Sequence, residues 1–178
     1  ETNSRGWRDR EYSEIPSQHR IMVLGDSVTL GWGVKDDATF SRLLERELTR
    51  GWKPVEVINT GVGNYNTQME VYSFLKKGIQ LRPNHVILAY FINDTEMIKP
   101  QGDVMKGSLT SSYFYSFVSG KALDLATRWN KNLDYRHFYS ALYEPDFEGR
   151  QWTERAIRKL AQITRERGIR LSIVVIPE

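Results

Sequence analysis

The 178 residues carry 25 lysines and arginines against 22 acidic residues, a net charge of +3, with 40% hydrophobic and 26% charged residues and no cysteine. That length suits one domain with a sizeable core, and the absence of cysteine excludes disulfides, thiolate metal sites and a cysteine nucleophile. The charge is too small and too evenly spread for a nucleic-acid-binding face, and no apolar run approaches the ~20 residues that a membrane-spanning helix needs.

Residues 1–20 are charged and lack the apolar centre of a leader peptide, and residues 1–19 are expected to pack across the domain. The first apolar run, 21–24, predicts a strand. Phe40, Leu43, Leu44 and Leu48 then fall on one helical face, with Gly51 as the stop signal. A second strand is expected at 55–58. Thr67 and Glu70 have the T-x-x-E spacing of a capping box, opening a helix that turns Val71, Phe74, Leu75 and Ile79 to the core. A third strand follows at 86–90. Residues 98–149 are too long for a simple connection and hold close to half of the aromatic residues. They predict a mostly helical insertion over the C-terminal edge of the sheet, serving as accessory core or as a substrate pocket or lid. Ala156, Leu160 and Ile163 form a third helical stripe closed by Gly168, and the basic cluster at 165–170 reads as a solvated helix end. A last strand is expected at 171–176.

Short, near-continuous apolar runs suit strands covered on both faces. The order β-α-β-α-β-(insertion)-α-β therefore predicts an α/β fold, a flavodoxin-like three-layer α/β/α sandwich around a parallel sheet, with residues 1–178 as one domain.

Three strand ends carry polar motifs. Gly25-Asp26-Ser27 follows the first, Asn59-Thr60-Gly61-Val62-Gly63-Asn64-Tyr65-Asn66-Thr67 the second, and Ile92-Asn93-Asp94 the third. In an open parallel sheet the carboxyl ends of the strands border the ligand crevice. Singly each motif also reads as a helix cap or turn. Together they offer a hydroxyl to attack a substrate and donors to hold an oxyanion. Residues 20–95, with 171–177 as a further strand, resemble the SGNH (GDSL) hydrolase superfamily. The resemblance implies Ser27 as nucleophile and an oxyanion hole made of the Ser27 N–H, the backbone N–H of Asn64 and the side-chain amide of Asn93, with Gly63 as the reserve for Asn64. Asn64 stands where the family usually has glycine, and asparagine tolerates left-handed backbone well. Phe91 stands where the third motif usually begins with glycine.

The resemblance also implies a D-x-x-H motif after the fifth strand. Of His19, His85 and His137, only His137 has an aspartate three residues earlier, Asp134. It lies inside the insertion and upstream of the last strand, where Asp134 and His137 fit an i,i+3 surface pair. The expectation is therefore that the catalytic histidine and aspartate are missing from this chain by truncation, and that the chain alone hydrolyses esters weakly. The function expected is ester hydrolysis through a Ser27 acyl-enzyme on a small-molecule, glycan or lipid ester. O-acetyl transfer and a non-catalytic binding module stand as alternatives. No metal or nucleotide cofactor is expected, since 25–33 does not match a phosphate-binding loop.

Overall fold

The computed structural model describes residues 2–16, 18–51, 54–97 and 135–177, the side chains of 135–137 excepted. Four strands, β1 (His19–Leu24), β2 (Val55–Asn59), β3 (His85–Tyr90) and β4 (Arg170–Val175), pair in the order β2-β1-β3-β4. Every pairing is parallel, with Met22 beside both Ile58 and Val86. Helices α1 (Ser27–Leu30) and α2 (Phe40–Gly51) link β1 to β2, and α3 (Thr67–Ser73) follows β2. Helix α3 continues through a π turn at Phe74–Gly78 and a 3-10 turn at Ile79–Leu81. Helices α4 (Tyr135–Leu142) and α5 (Glu148–Glu166) precede β4. This is the α/β fold and the doubly wound order expected from the run of elements.

Strand alternation divides the core in two. Met22 and Leu24 join Ile58, Val86 and Leu88 on one face, packed by Val71, Phe74 and Leu160 from α3, its continuation and α5. Ile21 and Val23 join Val55, Val57 and Ala89 on the other, against Leu44 and Leu48 of α2. Each buried aliphatic side chain contributes about 1.5–3 kcal/mol, so these two faces hold the three layers together.

The residues before β1 do pack across the domain. Trp7 is 1% exposed within the first core, and Asp9 pairs with Arg42 of α2. Arg10 meets Glu45 through two bonds of 2.9 Å.

Four expectations change. On the inner face of α2 Ser41 is buried and Leu44 and Leu48 are half-buried, while Phe40 and Leu43 are exposed. Adjacent Leu43 and Leu44 point about 100° apart and cannot both face the sheet. The Arg42–Glu45 side is occupied by the N-terminal segment. The Thr67–Glu70 capping box does not form either. Asn66 is the N-cap, accepting the Met69 N–H at 3.1 Å, which moves Glu70 one place beyond the box position and buries it. In α5 the buried positions are Gly149, Thr153, Leu160 and Thr164, with Ala156 and Ile163 only half-buried. The threonine hydroxyls are satisfied by the carbonyls of Asp94 and Leu160. Finally, β4 is an edge strand among the described residues, with Ile173, Val174 and Val175 exposed. Residues 98–134 of the expected insertion lie outside the described residues; its end forms α4 and the turn into α5.

Candidate active site

Strand β1 pairs with β2 on one side and β3 on the other, so the chain reverses direction across the sheet between them. The carboxyl ends of β1 and β3 therefore flank a switch-point crevice. Gly25, Asp26 and Ser27 leave β1 there. Asp26 caps α1 by accepting the Val28 N–H at 2.9 Å, and Ser27 is the first helical residue. A side chain at Gly25 would collide with Thr29 Oγ1 and press within 3.3 Å of Ala89. Only glycine permits so close a turn.

The loop after β2 is zipped onto this turn. Asn59 Nδ2 donates to Thr29 O at 2.7 Å, and its Oδ1 accepts the Gly61 N–H at 3.0 Å. The Thr60 and Val62 N–H groups donate to the Val23 and Gly25 carbonyls at 3.0 and 3.2 Å. A Cβ on Gly61 would strike the Leu30 amide. Beyond these ties the chain crosts into an exposed tip where Asn64 takes φ 64°, whereas Gly63 is not left-handed.

The end of β3 turns through a single 3-10 turn, Ile92–Thr95. Asp94 Oδ2 accepts the Phe91 N–H at 2.7 Å and so closes the turn. Asn93, within it, donates one amide N–H to Asp26 Oδ2 at 3.1 Å. An amide nitrogen has two N–H groups, so the second remains for a ligand. Asp26 thus joins the Ser27 turn to the Asn93 turn across the crevice. Ser27 and Asn93 are brought together, and Asn64 stands on the loop tied against them.

Ser27 Oγ has Asp26 Oδ2 as its neighbour at 3.4 Å, a long contact. No histidine reaches it among the described side chains. His19 and His85 begin β1 and β3, at the opposite edge, roughly 17 Å away along a six-residue strand. His85 instead shares a 2.9 Å bond with Ser172, and burial, with Arg170 and His19 nearby, lowers its pKa. The His137 side chain lies outside the described residues.

Sequence reasoning missed the acids behind the crevice. Asp26, Glu70 and Asp94 are 1%, 3% and 0% exposed. Burial raises the Glu70 pKa well above the carboxylate range, and Asp94 and Asp26 raise it further. Burial also pushes Asp94 up to about 7, with Asp26 adding to the shift and the Phe91 N–H opposing it. The signal for Glu70 was present in the T-x-x-E pattern but read as a cap. Also missed was Arg8, which donates to the carbonyls of Leu30, Gly31 and Val34 at 3.2, 2.7 and 2.6 Å and pairs with Asp36 at 2.7 Å. It braces the segment that follows Ser27.

No protein-family model matches the chain, and no curated protein matches it. Solved structures do. AlinE4, described as an SGNH-hydrolase family esterase, is 16% identical, with 88% of this chain and 76% of that one covered and a TM-score of 0.41. The psychrotrophic esterase EstA from Pseudoalteromonas sp. is 14% identical, with 88% and 77% covered and a TM-score of 0.40. The lipase/acylhydrolase from Enterococcus faecalis is 16% identical, with 86% and 75% covered and a TM-score of 0.37. The likeness is one of fold, to structures named for SGNH and lipolytic enzymes.

Proposed function

We propose that the protein is an ester hydrolase of the SGNH type that works by acyl transfer through Ser27. The observation that carries this reading is the Asp26 carboxylate at the switch point, which caps the Ser27 turn and holds the Asn93 amide at 3.1 Å. A serine at the start of a helix, beside an amide with one N–H to spare, supplies both a nucleophile and a donor for the charge its attack creates. Ser27 Oγ adds to the ester carbonyl carbon, and the carbonyl oxygen becomes an oxyanion. The Ser27 N–H, the Asn64 N–H and the Asn93 amide donate to that oxygen. Collapse breaks the bond to the alcohol, which leaves with a proton, and water then releases the acid from the acyl-enzyme.

The hydroxyl proton must pass to a base for Ser27 to attack. The resemblance assigns that task to a histidine, and the described side chains bring none to Oγ. The left-handed backbone of Asn64, at φ 64°, supports it over Gly63 as the second backbone donor.

A fluorophosphonate probe applied to the full-length protein tests the reading. A single adduct on Ser27, abolished in Ser27→Ala, is the expected result. Absence of an adduct, or labelling that persists unchanged in Ser27→Ala, overturns it.

A further inference from the structure

Behind the turn that carries Asn93 lies an acid pair with no part in the acyl transfer. The carboxyl groups of Glu70 on α3 and Asp94 are within hydrogen-bond reach of each other. Neither oxygen of Glu70, nor Oδ1 of Asp94, meets a donor among the described residues. Two buried carboxyls so close favour a proton shared between them, because like charges out of water repel strongly. The charged groups acting on the pair are the two acids themselves and Asp26 from the β1 turn. Helix α5, packed on α3, buries Gly149, Thr153, Leu160 and Thr164 and no charged side chain. No described cation offsets the cluster.

The same Asp94 holds the turn in place. Its Oδ2 accepts the Phe91 N–H at 2.7 Å, and its carbonyl accepts Thr153 Oγ1 at 3.1 Å. We propose that Glu70 is a positioning residue for the oxyanion hole: its shared proton ties Asp94 to α3, and the turn so anchored aims the Asn93 amide past Asp26 into the crevice. The consequence for catalysis rests on the ester-hydrolase reading; the effect on Asn93 does not. Glu70→Gln keeps the shape and donates an N–H to Asp94 without being able to ionise. Glu70→Ala leaves Asp94 Oδ1 facing an unfilled space.

The test compares the full chain with its E70Q and E70A variants by two readouts. One is the side-chain amide signal of Asn93 in a nitrogen–proton NMR spectrum. The other is kcat and KM for p-nitrophenyl acetate across pH. In E70A the Asn93 signal is expected to shift or broaden, and kcat to fall about 10- to 100-fold with KM little changed. In the parent, kcat is expected to decline as pH rises above about 7 and the pair loses its proton. In E70Q the signal and most of kcat return at neutral pH, and that alkaline decline is absent. An Asn93 signal in E70A identical to that of the parent overturns the proposal, as does an alkaline decline that persists in E70Q. If the parent hydrolyses no ester, the hydrolase reading fails while the Asn93 signal still decides the positioning role. If E70A does not fold, the infrared band of a protonated carboxyl decides: present in the parent and lost in E70Q, or the proposal falls.

Discussion

Asn64 shows how one residue's backbone, rather than its side chain, limits what the site tolerates. A backbone donor cannot be removed by substitution, but its direction can be spoiled. Asn64 sits at φ 64° on an exposed tip, a region that costs a β-branched residue about 1–2 kcal/mol and asparagine much less. Asn64→Val is therefore expected to strain the loop and slow fluorophosphonate labelling of Ser27, while Asn64→Gly labels faster than Asn64→Val. Labelling rates and urea midpoints measured together separate the two effects. Equal labelling by the valine and glycine variants would remove Asn64 from the oxyanion hole and return the role to Gly63. The choice of Asn64 came from its place in the motif, and the structure gives that residue a left-handed backbone. The buried acids were not legible, because the sequence does not say that Glu70 and Asp94 are both buried and act on each other.

At the scale of elements, the segment before β1 acts on the nucleophile turn from outside the sheet. Arg8 makes three bonds to carbonyls of residues 30–34 and one to Asp36. The Asp36 side chain is 66% exposed, and an ion pair so placed contributes little. The carbonyl bonds dominate, since a charged donor is stronger than a neutral one. Arg8→Ala is expected to lower stability by about 1–2 kcal/mol and to speed amide exchange across Gly31 and Val34, which follow Ser27. Arg8→Lys restores little, because lysine lacks the planar fork that spans several acceptors. Unchanged exchange in Arg8→Ala would make the segment a cover over the core and no brace for the site. The strands and the three helical stretches were legible because near-continuous apolar runs and 3.6-residue spacing survive in the residue order. Helix faces were read less well. In α2 the choice between Leu43 and Ser41 depends on a partner segment 35 residues away along the chain in contacts such as Arg10 with Glu45. In α3 the cap moved by one residue because Asn66 takes the Met69 N–H with its side chain and the Glu70 N–H, which a Thr67 cap would need, with its carbonyl.

For the whole molecule, the buried acids and His85 set opposite slopes of stability against pH. Glu70 and Asp94 have pKa values raised in the folded state, so the folded protein holds protons that the unfolded chain releases above about 4. Their contribution is fully present below that value and is lost as pH rises through the folded pKa, which for Asp94 is about 7. His85 works the other way. Its folded pKa is lowered, so stability is lost as pH falls below the unfolded value of about 6.5. Above about 6.5 the His85 contribution levels off, and among the described residues the carboxyl pair tilts the curve. The urea midpoint is therefore expected to fall between pH of about 6.5 and about 8.5. Asp94→Asn, which cannot ionise and still presents an oxygen to the Phe91 N–H, should flatten that fall. A parent protein whose midpoint is level across this window, or an Asp94→Asn curve as steep as the parent's, would show that the acids are ionised in the folded state. The proton between α3 and the Asn93 turn would then be absent, and the crevice would carry its negative charge openly beneath the serine.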